Sequence, residues 1–170
     1  MLAPLKSRLK GVTFVSQTGP EKERSSAISV LGEIMDFKVT GAETAGTLCV
    51  VELTSFPHNG PPPHIHHRED ESFYIIDGKF SFLLGRRTVE AGPGSFFRVP
   101  KGTVHTYQNI GAGPGKGLVI LTPAGFENFW AEMADPVVNW VGPSGPPSAT
   151  TIARLMDLAP KYGLEVKSPE

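Results

Sequence analysis

The sequence predicts an all-β fold with helical appendages, and three observations carry that expectation. Short strand-like runs recur as far as residue 122, each ended by turn-forming residues. Glycine and proline are abundant, at 19 and 16 of 170 residues, which suits tight turns rather than long helices. After Pro123 the apolar spacing changes from every second residue to every third and fourth, the mark of amphipathic helix.

The first part reads as strands at VTFV (12–15), AISVL (27–31), MDFKVT (35–40) and TLCVVELTSF (47–56). SFYIID and KFSFLL then flank Asp77-Gly78, a dipeptide suited to a tight hairpin because both positions tolerate positive φ. Gly85-Arg86 turns the chain into RTVEA, Gly92-Pro93-Gly94 precedes SFFRVP, and Lys101-Gly102 precedes TVHTYQN. Alternation puts Phe80, Phe82 and Leu84 on one face of their strand, and His105, Tyr107 and Asn109 on one face of another. An apolar interior with a few histidines set into it is what a small ligand-binding barrel or sandwich offers. Beyond Pro123, Phe126, Phe129, Trp130 and Met133 form one helical stripe, and Ile152, Leu155, Met156 and Ala159 form a second. Ser148 or Thr150 is placed to cap the second helix, and Pro160 must end or kink it. Both helices are expected to cover the barrel or a partner subunit, with a Pro/Gly-rich linker of unassigned path between them.

Sixteen lysines and arginines oppose 17 acids, for a formal charge of −1. No basic stripe stands out, which argues against a nucleic-acid or anionic-membrane partner. The single cysteine, Cys49, sits in TLCVVEL and reads as a small buried apolar side chain. MLAPLKSRLKGV has basic residues but no apolar run after it, so no secretory signal is expected, and no run approaches the length of a membrane span. The expected compartment is the cytoplasm.

The chemistry concentrates in PPPHIHHREDESFYIIDG, residues 61–78. His64 and His66 are two apart, so a strand projects both to one face, and His67 points away. Glu71 follows His66 at an odd interval, so a turn or bulge in HREDE has to bring it to that face, with Phe73 and Ile75 following it inward. His105 is the remaining candidate, on a strand that pairing could bring alongside. Three imidazoles and a carboxylate suit a divalent first-row metal.

Two spaced motifs extend this pattern. Gly60, three residues, His64-Ile65-His66, four residues, Glu71, six residues and Gly78 form the first. Gly94, five residues, Pro100-Lys101-Gly102, two residues, His105, three residues and Asn109 form the second. Together they resemble the two motifs of the cupin superfamily, and the short gap between them resembles that of small single-domain members. Within it, these stretches and the tail TPAGFENFW look like the small quercetin-dioxygenase-like proteins. The resemblance implies a double-stranded β-helix, or jelly-roll barrel, with metal ligation by His64, His66, Glu71 and His105. Gly78, Pro100, Gly102 and Asn109 then shape turns and strand ends. It divides the chain into an N-terminal arm at 1–45, a barrel core at 46–122 and a C-terminal helical extension at 123–170.

For function it implies a metal-dependent dioxygenase acting on a small enol or phenol, using iron, manganese, nickel, copper or zinc. Glu71 is either a general base toward the substrate hydroxyl or a fixed anionic ligand. Tyr107, Phe73 and Phe82 are the candidate substrate contacts, Tyr107 first among them. Glu69 and Asp70 read as solvated loop charges, with Glu69 a substitute ligand in a shifted register, and His58 and His67 as solvated or supporting groups. A small-molecule-binding module and a non-oxidative isomerase, lyase or decarboxylase are the competing readings. The last needs inward positive groups, for which Arg98 is the candidate. A homodimer is expected, because the appended segments carry apolar stripes that one barrel need not cover.

Overall fold

The computed structural model describes residues 27–134 and 147–167. The expected strand at 12–15 and most of the linker lie outside them. Eleven strands and two helices are described: β1 (Ala27–Val30), β2 (Glu33–Val39), β3 (Cys49–Ser55), β4 (His64–His66), β5 (Asp70–Asp77), β6 (Phe80–Leu84), β7 (Arg87–Ala91), β8 (Phe96–Val99), β9 (His105–Asn109), β10 (Gly115–Thr122), α1 (Glu127–Met133), α2 (Ala149–Leu158), then a 3-10 turn (Ala159–Tyr162) and β11 (Leu164–Val166). Among the described residues no helix is long and apolar enough to cross a membrane.

The strands form two sheets, β1-β2-β3-β10-β5-β8 and β11-β4-β9-β6-β7, which face each other as a double-stranded β-helix. Alternation decides what lies between them. In β3, Cys49, Val51, Leu53 and Ser55 point inward, and in β10 Val119 and Leu121 meet them. Phe80 and Phe82, each 1 % exposed, project from the opposite sheet. Burial of each such side chain contributes about 1.5–3 kcal/mol. Phe73 meets Phe82 edge to face at 5.2 Å, an arrangement aromatic rings prefer.

The hairpin expected at Asp77-Gly78 does not form. β5 pairs with β10 and β8, while β6 pairs with β7 and β9, so this turn carries the chain from one sheet to the other. Gly78 has φ +88°, and a Cβ there would lie 2.7 Å from the Gly115 Cα. The glycine serves the crossing rather than a two-residue loop. Gly85-Arg86 does close a hairpin, with Leu84 opposite Arg87.

Asn109 lies at the end of β9 and is fully buried. Its amide donates to the carbonyls of Ser55 (2.8 Å) and Gly113 (3.0 Å), and Gly111 N–H donates back to it at 2.8 Å. It is a structural strap. On the C-terminal side, Phe126, Phe129, Trp130 and Met133 are all buried. Ser148 caps α2, its Oγ accepting from Thr151 N–H at 3.1 Å, and Pro160 converts the end of α2 to the 3-10 turn. Only half of the second stripe is covered: Leu155 and Ala159 are buried, and Ile152 and Met156 are exposed. The C-terminal segment then adds a strand that the helical spacing did not show. β11 pairs antiparallel with β4, with Leu164 opposite His66 and Val166 opposite His64.

Candidate metal centre

β4 and β9 are antiparallel neighbours that put His64 directly opposite His105. β5 reaches over from the other sheet. The three residues between β4 and β5 change the phase, so that Glu71 points inward and Phe73 and Ile75 follow it, as the odd interval required. One ligand atom each from His64, His66, Glu71 and His105 lies within 4.8 Å of all the others. The four residues are buried, Glu71 to 5 % exposure and His105 to 1 %. His105 Nε2 is 2.7 Å, and His66 Nε2 3.4 Å, from Glu71 Oε2.

The outer nitrogens show that these rings are aimed. His64 Nδ1 faces the Pro62 carbonyl at 2.9 Å and His105 Nδ1 faces the Thr103 carbonyl at 3.0 Å. A carbonyl only accepts, so both Nδ1 atoms carry the proton and both Nε2 atoms are left to ligate. His66 Nδ1 points at Glu69 Oε2, 3.5 Å away, and neither atom has another hydrogen-bond partner among the described residues. Glu69 is therefore no solvated loop charge: it is 4 % exposed, and its carboxylate stands behind a ligand imidazole. The charge states suit a cation as well. Burial, with His105 and His66 alongside, pulls His64 down to about 3, which keeps it in the neutral, ligating form. Burial alone would raise Glu71, but attraction to His66 and bonding to His105 outweigh it and hold the carboxyl at about 2. His105 is raised, its bond to Glu71 overcoming burial. Three imidazoles, each with a carbonyl or carboxylate facing its outer nitrogen, and one carboxylate fit a divalent transition metal.

His64, His66 and Glu71 of this group line a cavity of about 60 Å³. Its barrel wall includes Glu33, Met35, Tyr107 and Val119, and its roof is Phe126, Phe129 and Trp130 with Leu155, Leu164 and Val166. Phe126 packs edge-on to His66 at 4.3 Å. Of the expected substrate contacts only Tyr107 lines this space. Phe73 and Phe82 do not: they sit in the core behind the histidines, packed on each other, with Phe82 also stacked on Phe97 at 4.9 Å. Strand alternation puts them on the inner face, but the cavity opens on the side of β1, β2 and the C-terminal segment. Arg98 points outward and pairs with Asp70, which also accepts from Lys101 N–H at 3.0 Å. His67 is exposed and bonds Glu165 at 2.8 Å. His58 serves the loop: its N–H donates to the Asn109 carbonyl at 2.8 Å and its carbonyl accepts from Gln108 at 3.1 Å.

A two-sheet barrel with three histidines and a glutamate converging inside it defines a class of small metal-site β-barrels. Residues 53–121, about two-fifths of the chain, match the model of the Cupin domain family. The chain is 28 % identical over 106 residues to the quercetin 2,3-dioxygenase of Bacillus subtilis (strain 168), covering 62 % of this chain and 31 % of that one. It is 32 % identical over 88 residues to a germin-like protein of Mesembryanthemum crystallinum, covering 46 % and 37 %. The chain thus spans about a third of the length of these two relatives. An RmlC-like cupin from Shewanella frigidimarina NCIMB 400 superposes with a TM-score of 0.55 at 18 % identity, over 67 % of this chain and 96 % of that one.

Proposed function

We propose that this chain is a metal-dependent dioxygenase acting on a small, neutral enol or phenol. The observation that carries the reading is the cavity: His64, His66 and Glu71 of the metal group line a largely apolar space with no lysine or arginine among the described lining residues. Sugar phosphates and larger acids, whose charge extends beyond the group a metal would neutralise, would find no cationic side chain among the described lining residues, at a heavy desolvation cost. That disfavours the isomerase, lyase and decarboxylase readings, and the likeness to a quercetin 2,3-dioxygenase favours oxygen chemistry. The volume argues against a flavonol itself, because about 60 Å³ is far below the roughly 300–1,000 Å³ of pockets that take drug-sized ligands.

His64, His66, His105 and Glu71 would hold iron, manganese, nickel or copper, which supplies Lewis-acid and redox chemistry when bound. Glu71, the one anionic ligand, is placed to accept the proton of a substrate hydroxyl brought against it, its carboxylate being ionised at neutral pH. The roof aromatics exclude water from the reacting atoms. A homodimer belongs to the same proposal, supported by exposed Tyr74, Ile76 and Phe96 on the outer face of β5 and β8; light scattering reads it.

Metal content of the protein purified without chelator, by elemental mass spectrometry, comes first, beside a Glu71→Ala/His105→Ala variant. Stoichiometric redox metal that disappears in the variant, with oxygen uptake on small enols and phenols, is expected. Tight metal binding with no oxygen uptake on any of them sinks the dioxygenase reading and leaves a binding module.

A further inference from the structure

Glu33 lies on the inner face of β2, is 3 % exposed and lines the same cavity as the metal group. The Tyr107 hydroxyl donates to its Oε2, a bond that joins the two sheets. Its Oε1 is buried with no hydrogen-bond partner among the described residues, the nearby Ser55 hydroxyl donating instead to the Asn59 carbonyl at 3.5 Å. Such an orphan is rare, because a buried acceptor without a donor loses the hydration it had in water and receives nothing for it. Most of the surrounding lining is apolar: Val30, Leu31, Met35 and Val119 on the barrel side, and Phe129 and Trp130 in the roof. A carboxylate serving only to tie the sheets together would be expected to have both oxygens bonded. Burial pushes this carboxyl up to about 7, with the Tyr107 and Ser55 hydroxyls opposing the rise, so its ionised, accepting form is within easy reach at neutral pH.

Position supplies the second half of the argument. Tyr107 follows His105 by two residues on the same face of β9, about 7 Å further along the strand. The carboxylate that Tyr107 holds lines the same cavity as His64, His66 and Glu71, a space of about 60 Å³ in which one small molecule meets both. We propose that Glu33 determines specificity: its Oε1 accepts a hydrogen bond from a hydroxyl of the substrate, whose other oxygen function lies at the metal group. The substrate class is then a small neutral molecule with two separated oxygen functions, one of them a free hydroxyl. This rests on the metal-site reading above. A site built around an unpaired buried acceptor rejects an analogue lacking the matching hydroxyl far more strongly than an apolar pocket rejects an extra methyl group.

The test uses isosteric probes under anaerobic conditions on zinc-loaded protein, so that no oxidation takes part. Glycolohydroxamic acid is compared with propionohydroxamic acid, and 3-hydroxypropionohydroxamic acid with butyrohydroxamic acid, by calorimetric titration. Each pair shares a metal-binding head and differs as hydroxyl against methyl. In the wild type at least one hydroxyl probe is expected to bind tenfold or more tighter than its isostere, and in Glu33→Met the preference should fall below twofold while the methyl probes bind no worse. Methyl probes favoured at both lengths in the wild type, or a preference that survives in Glu33→Met, overturns the proposal. Glu33→Met also loses the Tyr107 bond, so the methyl probes serve as the check on structure: loss of their binding together with the hydroxyl preference overturns the proposal by making Glu33 a strut. Elemental analysis showing no bound metal overturns both readings together. Absent oxygen uptake overturns only the dioxygenase reading.

Discussion

The buried carboxyl of Glu33 should leave a signature in stability against pH. Its pKa lies near 7 in the folded chain against 4.5 for an ordinary glutamate. Below pH 4.5 the group is protonated in both states and contributes nothing to the difference. As pH rises from 4.5 toward 7, the unfolded chain releases this proton while the folded chain still holds it, so ionisation favours unfolding. The interval of about 2.5 pH units at 1.36 kcal/mol each gives a loss of roughly 3 kcal/mol, complete a little above pH 7. The groups facing it are Tyr107 from β9 and Ser55 from β3, with Glu71 near the tyrosine. Glu33→Gln keeps the shape and removes the titration. Urea unfolding of both proteins at half-unit steps from pH 4.5 to 8, in chelator so that the metal ligands behave alike, isolates the contribution by subtraction. The variant should gain on the wild type by about 3 kcal/mol across that range. A difference that stays flat with pH would refute the reasoning, because it would mean that Glu33 meets water or a cation in the folded state.

Glu69→Gln should weaken metal affinity by about 10- to 100-fold with little change in melting temperature, read by competition against a chromophoric chelator; unchanged affinity would show that His66 needs no carboxylate behind it. Gly60→Ala should cost about 3 kcal/mol or more, since its Cβ would fall 1.9 Å from the Tyr107 carbonyl oxygen, and chemical denaturation measures it. Phe126→Ala should cost about 3–5 kcal/mol by opening a cavity in the roof and, because that ring packs on His66, should loosen metal binding as well. Retained affinity would show that β4 alone holds the imidazole.

The metal group was legible because its information is local or rests on simple alternation. His64 and His66 share a face by spacing, and the odd interval to Glu71 required the phase change that residues 67–69 supply. His105 needed only a neighbouring strand. Glu33 was not legible. Glu33, Ile34 and Met35 are all buried in succession, so alternation gives no sign that a charged residue faces inward, and its partner Tyr107 lies 74 residues away. Glu69 was hidden by its company, since HREDE reads as a solvated loop, and its 4 % exposure comes only with the long-range closure of the chain. The same long-range closure explains the substrate wall. Phe73 and Phe82 were placed on the inner face by their strands, but which part of that face meets a cavity depends on where residues 126–133 and 155–166 lie.

The stretch that matches the family model, 53–121, contains all four metal-site residues and Tyr107. Glu33 lies before it, and Phe126, Phe129, Trp130, Leu155, Leu164 and Val166 lie after it. The metal group and the cavity's aromatic roof are therefore encoded in different parts of the chain. Exchange of residues 27–35, 126–133 or 155–166 between relatives would reshape the cavity while the four candidate ligands are inherited intact, a route by which one barrel can come to admit different molecules.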